Sequence, residues 1–117
     1  MAEDITIFHN PSCSKSRGAL GILQDAGVEP EIVLYKEAPP DRATLEMILD
    51  RIDVEPSALV RRDPEFKASG LTPDDIQTEE QVVEVLLAHP ALMERPVVVR
   101  GDKVVLGRPP ENVEGLL

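Results

Sequence analysis

Ile5-Thr6-Ile7-Phe8-His9-Asn10-Pro11-Ser12-Cys13-Ser14-Lys15-Ser16-Arg17 changes character half-way along. Its first four residues are a β-rich run that stops at the turn signal Asn10-Pro11. After Cys13 the apolar positions take up helical spacing, with Ala19, Leu20, Leu23 and Ala26 on one face. Gly27 is a suitable C′ residue to end that helix, and Ile32-Val33-Leu34-Tyr35 reads as a second, buried strand. The unit is βαβ, so its crossover is expected to be right-handed and its strands parallel. Cys13 then lies at the carboxyl end of the first strand, where open α/β sheets bind their ligands.

The middle of the chain is helical in pattern. Asp41 is the expected N-cap of a helix in which Leu45, Ile48, Leu49 and Ile52 repeat at helical spacing. A short helix from Pro56 should carry Ala58, Leu59 and Val60 into Arg61-Arg62, where Pro64 discourages continuation. Thr78 and Gln81 form a capping-box pattern ahead of Val82, Val83, Val85, Leu86 and Leu87, and Pro90 ends that helix. The last quarter returns to strands: Val97-Val98-Val99 and Val104-Val105-Leu106 flank Gly101-Asp102, a tight hairpin turn. A short helix over roughly 111–117 closes the chain. The order β-α-β, helical block, β-β-α implies one domain over residues 1–117, with a helical insertion at roughly 41–90.

Composition removes several function classes. A chain of 117 residues with 42% hydrophobic residues can fill one core. Aromatics are only 3% and the formal net charge is −10, so platforms for base stacking are missing and phosphate backbones and anionic lipid are repelled. Neither nucleic acid nor a membrane is an expected partner. One cysteine excludes an intrachain disulfide, and no apolar leader follows Met1, which makes the reducing cytoplasm the expected compartment. His9 and His89 lie far apart and begin no ligand-spaced motif, so no metal site is expected.

The chemistry therefore concentrates on Cys13. A strand-to-helix turn aims free N–H groups and the positive end of the helix dipole at its first residues, which biases a thiol there toward the nucleophilic thiolate. Ser16 and Arg17, on the first turn, add a hydroxyl and a cation that favour the same state. Only three residues separate Cys13 from Arg17, too few for a phosphatase-type loop, and Ser16 stands where a dithiol CxxC motif would carry its resolving cysteine. No GxGxxG or Walker pattern supports a nucleotide cofactor.

Four blocks, HNPSCSKSRGAL at 9–20, ALVRRDPEF at 58–66, HPALMERPVVV at 89–99 and VLGRPPE at 105–111, resemble the signature blocks of the glutaredoxin-dependent arsenate reductase family. The resemblance runs along the whole chain in order. It implies an α/β thioredoxin/glutaredoxin-like fold, a mixed four-stranded sheet with the helical insertion between strands 2 and 3. It further implies that Cys13 attacks arsenate while Arg61, Arg95 and Arg108 hold the oxyanion. Guanidinium suits that task, since it stays charged and offers paired donors. Arg62 is adjacent to Arg61, and either could face the site. His9 corresponds to a family histidine that lowers the thiol pKa or orders the loop; the alternative is a neutral imidazole hydrogen-bonded at a strand end. Kinship also implies a cis bond at Arg95-Pro96. No bound cofactor is implied: glutathione would be a co-substrate and glutaredoxin the protein partner, because a single cysteine needs an outside reductant. Two other readings stay open, a glutathione-linked thiol oxidoreductase of another substrate and a non-enzymatic redox-responsive regulator that binds a protein partner.

Overall fold

The computed structural model describes residues 4–117. Strand β1 (Ile5–His9) is followed by helix α1 (Ser14–Asp25) and strand β2 (Glu31–Leu34), and β1 and β2 pair in parallel with Ile7 opposite Ile32. Strands β3 (Val97–Arg100) and β4 (Lys103–Leu106) form a hairpin whose Gly101 takes a positive φ of 60° in the turn. β3 lies antiparallel to β1, so the sheet order is β2-β1-β3-β4. Gly27, at φ 83°, ends α1 in the left-handed conformation that its position requires.

Alternation along the strands divides the core between the two faces of this sheet. Ile5, Ile7 and Val98 point to one face and pack with Ala19 and Leu23 of α1 and with Val113 and Leu116 of the C-terminal 3₁₀ segment Pro110–Leu116. Phe8, Val97 and Val104 point to the other and meet the helical block. That block runs from α2 (Arg42–Arg51) through α3 (Pro64–Ala68) and α4 (Glu79–Ala88), with 3₁₀ turns at Pro56–Leu59, Pro73–Ile76 and Pro90–Leu92. Its caps follow local chemistry. Asp41 accepts from Thr44 N–H at 2.9 Å, and Thr78 and Gln81 form the reciprocal capping box of α4. Among the described residues no helix is long and apolar enough to cross a membrane.

Several expectations are corrected. β2 is an edge strand rather than a buried one, with Ile32 45% exposed, because the sheet places β1 and not β2 in its interior. The segment from Pro56 is a single 3₁₀ turn, and Val60 leaves it to form an isolated bridge with Met93. Pro64 opens a helix instead of only interrupting one: it occupies the first turn of α3, where its missing N–H costs nothing, behind Asp63 as N-cap. The closing helix is 3₁₀ in form. Arg95-Pro96 is cis, and so is Arg108-Pro109, which was not expected.

The turn after β4 is packed hard against the proline before β3. Gly107 N–H donates to the Pro96 carbonyl at 2.9 Å, and a Cβ on Gly107 would lie 2.7 Å from Pro96 Cγ and 3.3 Å from Val113 Cγ1. A pyrrolidine ring cannot swing aside as a flexible chain end can. Gly107→Ala is therefore expected to destabilise the fold by about 1–3 kcal/mol through overpacking, read as a fall in thermal midpoint. An unchanged midpoint would show that this contact relaxes freely.

Candidate active site

Among the described residues, the buried polar side chains are His9, Asn10 and Ser16, and all three surround the turn between β1 and α1. Buried polar groups need partners, and here they find one another. The Asn10 side chain accepts from Ser12 N–H at 2.9 Å, while the Asn10 carbonyl accepts from Cys13 N–H at 3.0 Å. The Ser16 hydroxyl accepts from Asn10 N–H at 3.0 Å and lies 2.6 Å from His9 Nδ1. A neutral His9 with its proton on Nε2 satisfies that arrangement, the hydroxyl donating to Nδ1. Burial, followed by the charge of Arg17, lowers the His9 pKa and keeps the ring uncharged.

Cys13 occupies the N-cap position of α1, with φ −98° and ψ 123°, and is half-buried. Burial pushes its thiol up, but the opposing groups prevail. The Arg95 side chain, the N–H groups of Ser16 and Lys15, and the Arg95 charge together bring the pKa down to about 7. Half of the thiol is then ionised at neutral pH. Alkylation by iodoacetamide should accordingly accelerate about tenfold per pH unit below this midpoint and level off above it. A midpoint at the ordinary thiol value would remove the electrostatic account of the site.

The arginines arrive from three distant segments. Arg108 Nη1 lies 3.9 Å from Cys13 Sγ and is steadied by donating to the Arg95 carbonyl at 3.1 Å. The Arg95 guanidinium faces both the thiol and the buried hydroxyl of Tyr35; burial raises the Tyr35 pKa and keeps it protonated. Tyr35 Oη and Arg95 Nε are buried without a hydrogen-bond partner. Arg61 is delivered by a short ladder in which Arg61 N–H donates to Leu92 O at 2.8 Å and Glu94 N–H to Leu59 O at 2.7 Å. Val60 and Met93 pair and turn into the core. Their successors Arg61 and Glu94 meet, Nε to Oε1, at 3.7 Å. Arg62 is exposed.

Of the residues chosen from the sequence to support a thiolate, Ser16 acts through its backbone N–H while its hydroxyl faces inward. Arg17 donates to the Pro11 carbonyl at 2.8 Å, clasping the loop rather than the sulfur. His9 orders the same loop through Ser16. Sequence reasoning does not single out Asn10, Tyr35 or Glu94 as site residues. Asn10 serves it as a turn signal and Tyr35 as a strand residue; Asn10 and Glu94 also lie inside the blocks at 9–20 and 89–99, and that placement is the signal available for them.

A groove of about 310 Å³ opens beside the cysteine loop, lined by His9, Asn10, Pro11, Ser12, Leu34, Lys36 and Glu37. A second cleft of about 280 Å³, along the edge at β4, is lined by Asp53, Val54, Val104, Val105, Leu106 and Asn112 and has neither a nucleophilic sulfur nor a cation in its wall. Among the described residues no group of three or more His, Cys, Asp or Glu side chains is placed to hold a metal ion. The arrangement at Cys13 suits attack on an electrophile bearing anionic oxygens.

Comparison with known proteins points the same way. The sequence profile of the ArsC family matches residues 8–116. The chain is 43% identical over 115 residues to the protein YfgD of Escherichia coli (strain K12), covering 97% of this chain and 96% of that one. It is 38% identical over 116 residues to an arsenate reductase of Neisseria meningitidis serogroup A, covering 97% and 98% respectively. The solved arsenate reductase from Vibrio cholerae shares the thioredoxin-like fold, with a TM-score of 0.89 at 33% identity and 100% of both chains covered.

Proposed function

This chain belongs to the ArsC family, and on that premise we propose that it is an arsenate reductase in which the Cys13 thiolate is the nucleophile and external thiols supply the electrons. The observation that carries the reading is the half-buried sulfur, lowered to a pKa of about 7, within 3.9 Å of Arg108 and facing Arg95. An acidic protein that holds an oxyanion must concentrate positive charge locally, and the three arginines do so.

Cys13 Sγ bonds to the arsenic of arsenate, and one arsenate oxygen, protonated, leaves as water. Arsenic remains As(V) at this stage. A first external thiol attacks Sγ, forming a mixed disulfide. The S–As bond breaks with its electron pair passing to arsenic, and arsenite departs as As(III). A second external thiol attacks the mixed disulfide and frees Cys13. Two thiols are oxidised to one disulfide as arsenic gains two electrons. Arg61, Arg95 and Arg108 balance the oxyanion charge throughout.

The chain has one cysteine, so the second and third sulfurs come from other molecules. Glutathione and glutaredoxin are the proposed donors. The groove beside Pro11 and Ser12 supports an extended thiol peptide as first donor, with Lys36 available to a carboxylate. Arsenite measured with purified protein, arsenate, glutathione and glutaredoxin tests the reading, with each component omitted in turn. Formation that requires both thiol components supports it. No arsenite from the complete mixture rejects it.

A further inference from the structure

Oε1 of Glu94 is the point at which two of the site guanidiniums, those of Arg61 and Arg108, meet the backbone N–H of the third arginine, Arg95. It lies 3.5 Å from Arg108 Nη1 and 3.7 Å from Arg61 Nε, and it accepts from Arg95 N–H at 3.3 Å. Its side chain is only 18% exposed, against about a third for the two guanidiniums it joins. Arg61 has a second carboxylate partner in Asp63, at 3.0 Å, but Asp63 is committed elsewhere: its other oxygen caps α3 through Phe66 N–H at 3.1 Å. Glu94 has no such helix to hold. With Asp63, Glu94 and a partly ionised Cys13 facing Arg61, Arg108 and Arg95, much of the positive charge of the cage is already offset before an oxyanion arrives.

We infer that Glu94 is the resident counter-anion of this oxyanion site: it holds Arg61 and Arg108 together while the site is empty, then competes with the entering oxyanion for the same donors. The identity of that oxyanion as arsenate rests on the function proposed above; the competition concerns any tetrahedral anion that fits. Without a carboxylate between them, two guanidiniums repel each other, which gives the resident charge its role. Its cost is a lowered positive potential at the binding point. Because that cost scales with ligand charge, Glu94 penalises dianions more than monoanions and thereby sets the affinity and charge preference of the site. Glu94 is a positioning residue, acting through the arginines.

Glu94→Gln keeps an oxygen for Arg95 N–H and removes the charge. Calorimetric titration at low ionic strength should then show sulfate, an inert dianion, binding on the order of 5-fold tighter than to the wild type, and nitrate, a monoanion, about 2-fold tighter. The midpoint for Cys13 alkylation should move below its wild-type position. Glu94→Ala, which removes the charge without replacing the acceptor, should shift sulfate in the same direction, whereas Glu94→Asp should stay within about 2-fold of wild type. A purely scaffolding Glu94 predicts the reverse, with weaker sulfate and a higher thiol midpoint in both uncharged variants. That result, unchanged binding, or no measurable sulfate binding to any of the proteins overturns the inference. If sulfate tightens as expected while no arsenite is ever formed, the counter-anion assignment stands and the arsenate reading alone fails. If arsenite is formed but sulfate does not tighten, only the assignment falls.

Discussion

Cys13→Ser is expected to reduce arsenite formation below about one-thousandth of the wild-type rate while leaving the fold intact. The size of the loss follows from the nucleophile. A serine hydroxyl at the same place is not ionised near neutral pH, whereas the thiol, with a pKa of about 7, is half thiolate there. The intact fold follows from position. Cys13 is the N-cap of α1 but makes no side-chain capping bond. Serine is among the preferred N-cap residues, so the variant should melt at the wild-type temperature or up to about 1 kcal/mol more stably. The arginines remain, and sulfate should still bind. Arsenite production by the serine variant at more than a few per cent of wild type would remove Cys13 from the reaction. A collapse in thermal stability would make the loss uninformative about chemistry and contradict the capping argument.

The second large effect belongs to Arg95→Ala. Arg95 opposes the burial of Cys13 both by direct interaction with the sulfur and through its charge, while the N–H groups of Ser16 and Lys15 would survive the substitution. The thiol pKa should therefore rise from about 7 toward, without fully reaching, the ordinary value near 8.5. At pH 7 this lowers the thiolate fraction about tenfold. Loss of one charged donor to the oxyanion costs roughly another tenfold, so kcat/KM should fall on the order of 100-fold. Raising the pH separates the two contributions. A thiol whose pKa has risen regains its ionised form as pH climbs past the new value, so at pH 9 the deficit should shrink to about tenfold, the oxyanion share alone. An alkylation midpoint that stays at the wild-type position would show that Arg95 does not govern the sulfur. A deficit that stays constant with pH would assign Arg95 to substrate binding only.

Resemblance and local reading both placed Cys13 at the start of α1, and local physics accounts for it. The change of period after Asn10-Pro11, Gly27 at the helix end, the caps Asp41 and Thr78 and the Gly101-Asp102 turn all act within a few residues of chain. Local signals misjudged what depends on neighbours far away. Ile32-Val33-Leu34 is apolar enough for a central strand, yet it lies at the sheet edge, because β3 pairs with the far side of β1 and not with β2. Pro64 interrupts a helix or begins one depending on whether the preceding residue caps it, and Asp63 does.

The sequence by itself determined that a lone cysteine heads a helix after a first strand, that a hairpin closes the sheet, and which arginines were candidates. Periodicity, capping and turn chemistry are short-range and are written in consecutive residues. Only the tertiary structure decided that Arg61 rather than Arg62 turns toward Glu94, that His9 is a neutral partner of Ser16, and that one carboxylate oxygen joins the guanidiniums of Arg61 and Arg108 and accepts from the Arg95 backbone. Those outcomes depend on pairings such as Val60 with Met93 and Cys13 with Arg108, between residues distant in sequence. Electrostatics acts through space, and the space is set by the packed sheet.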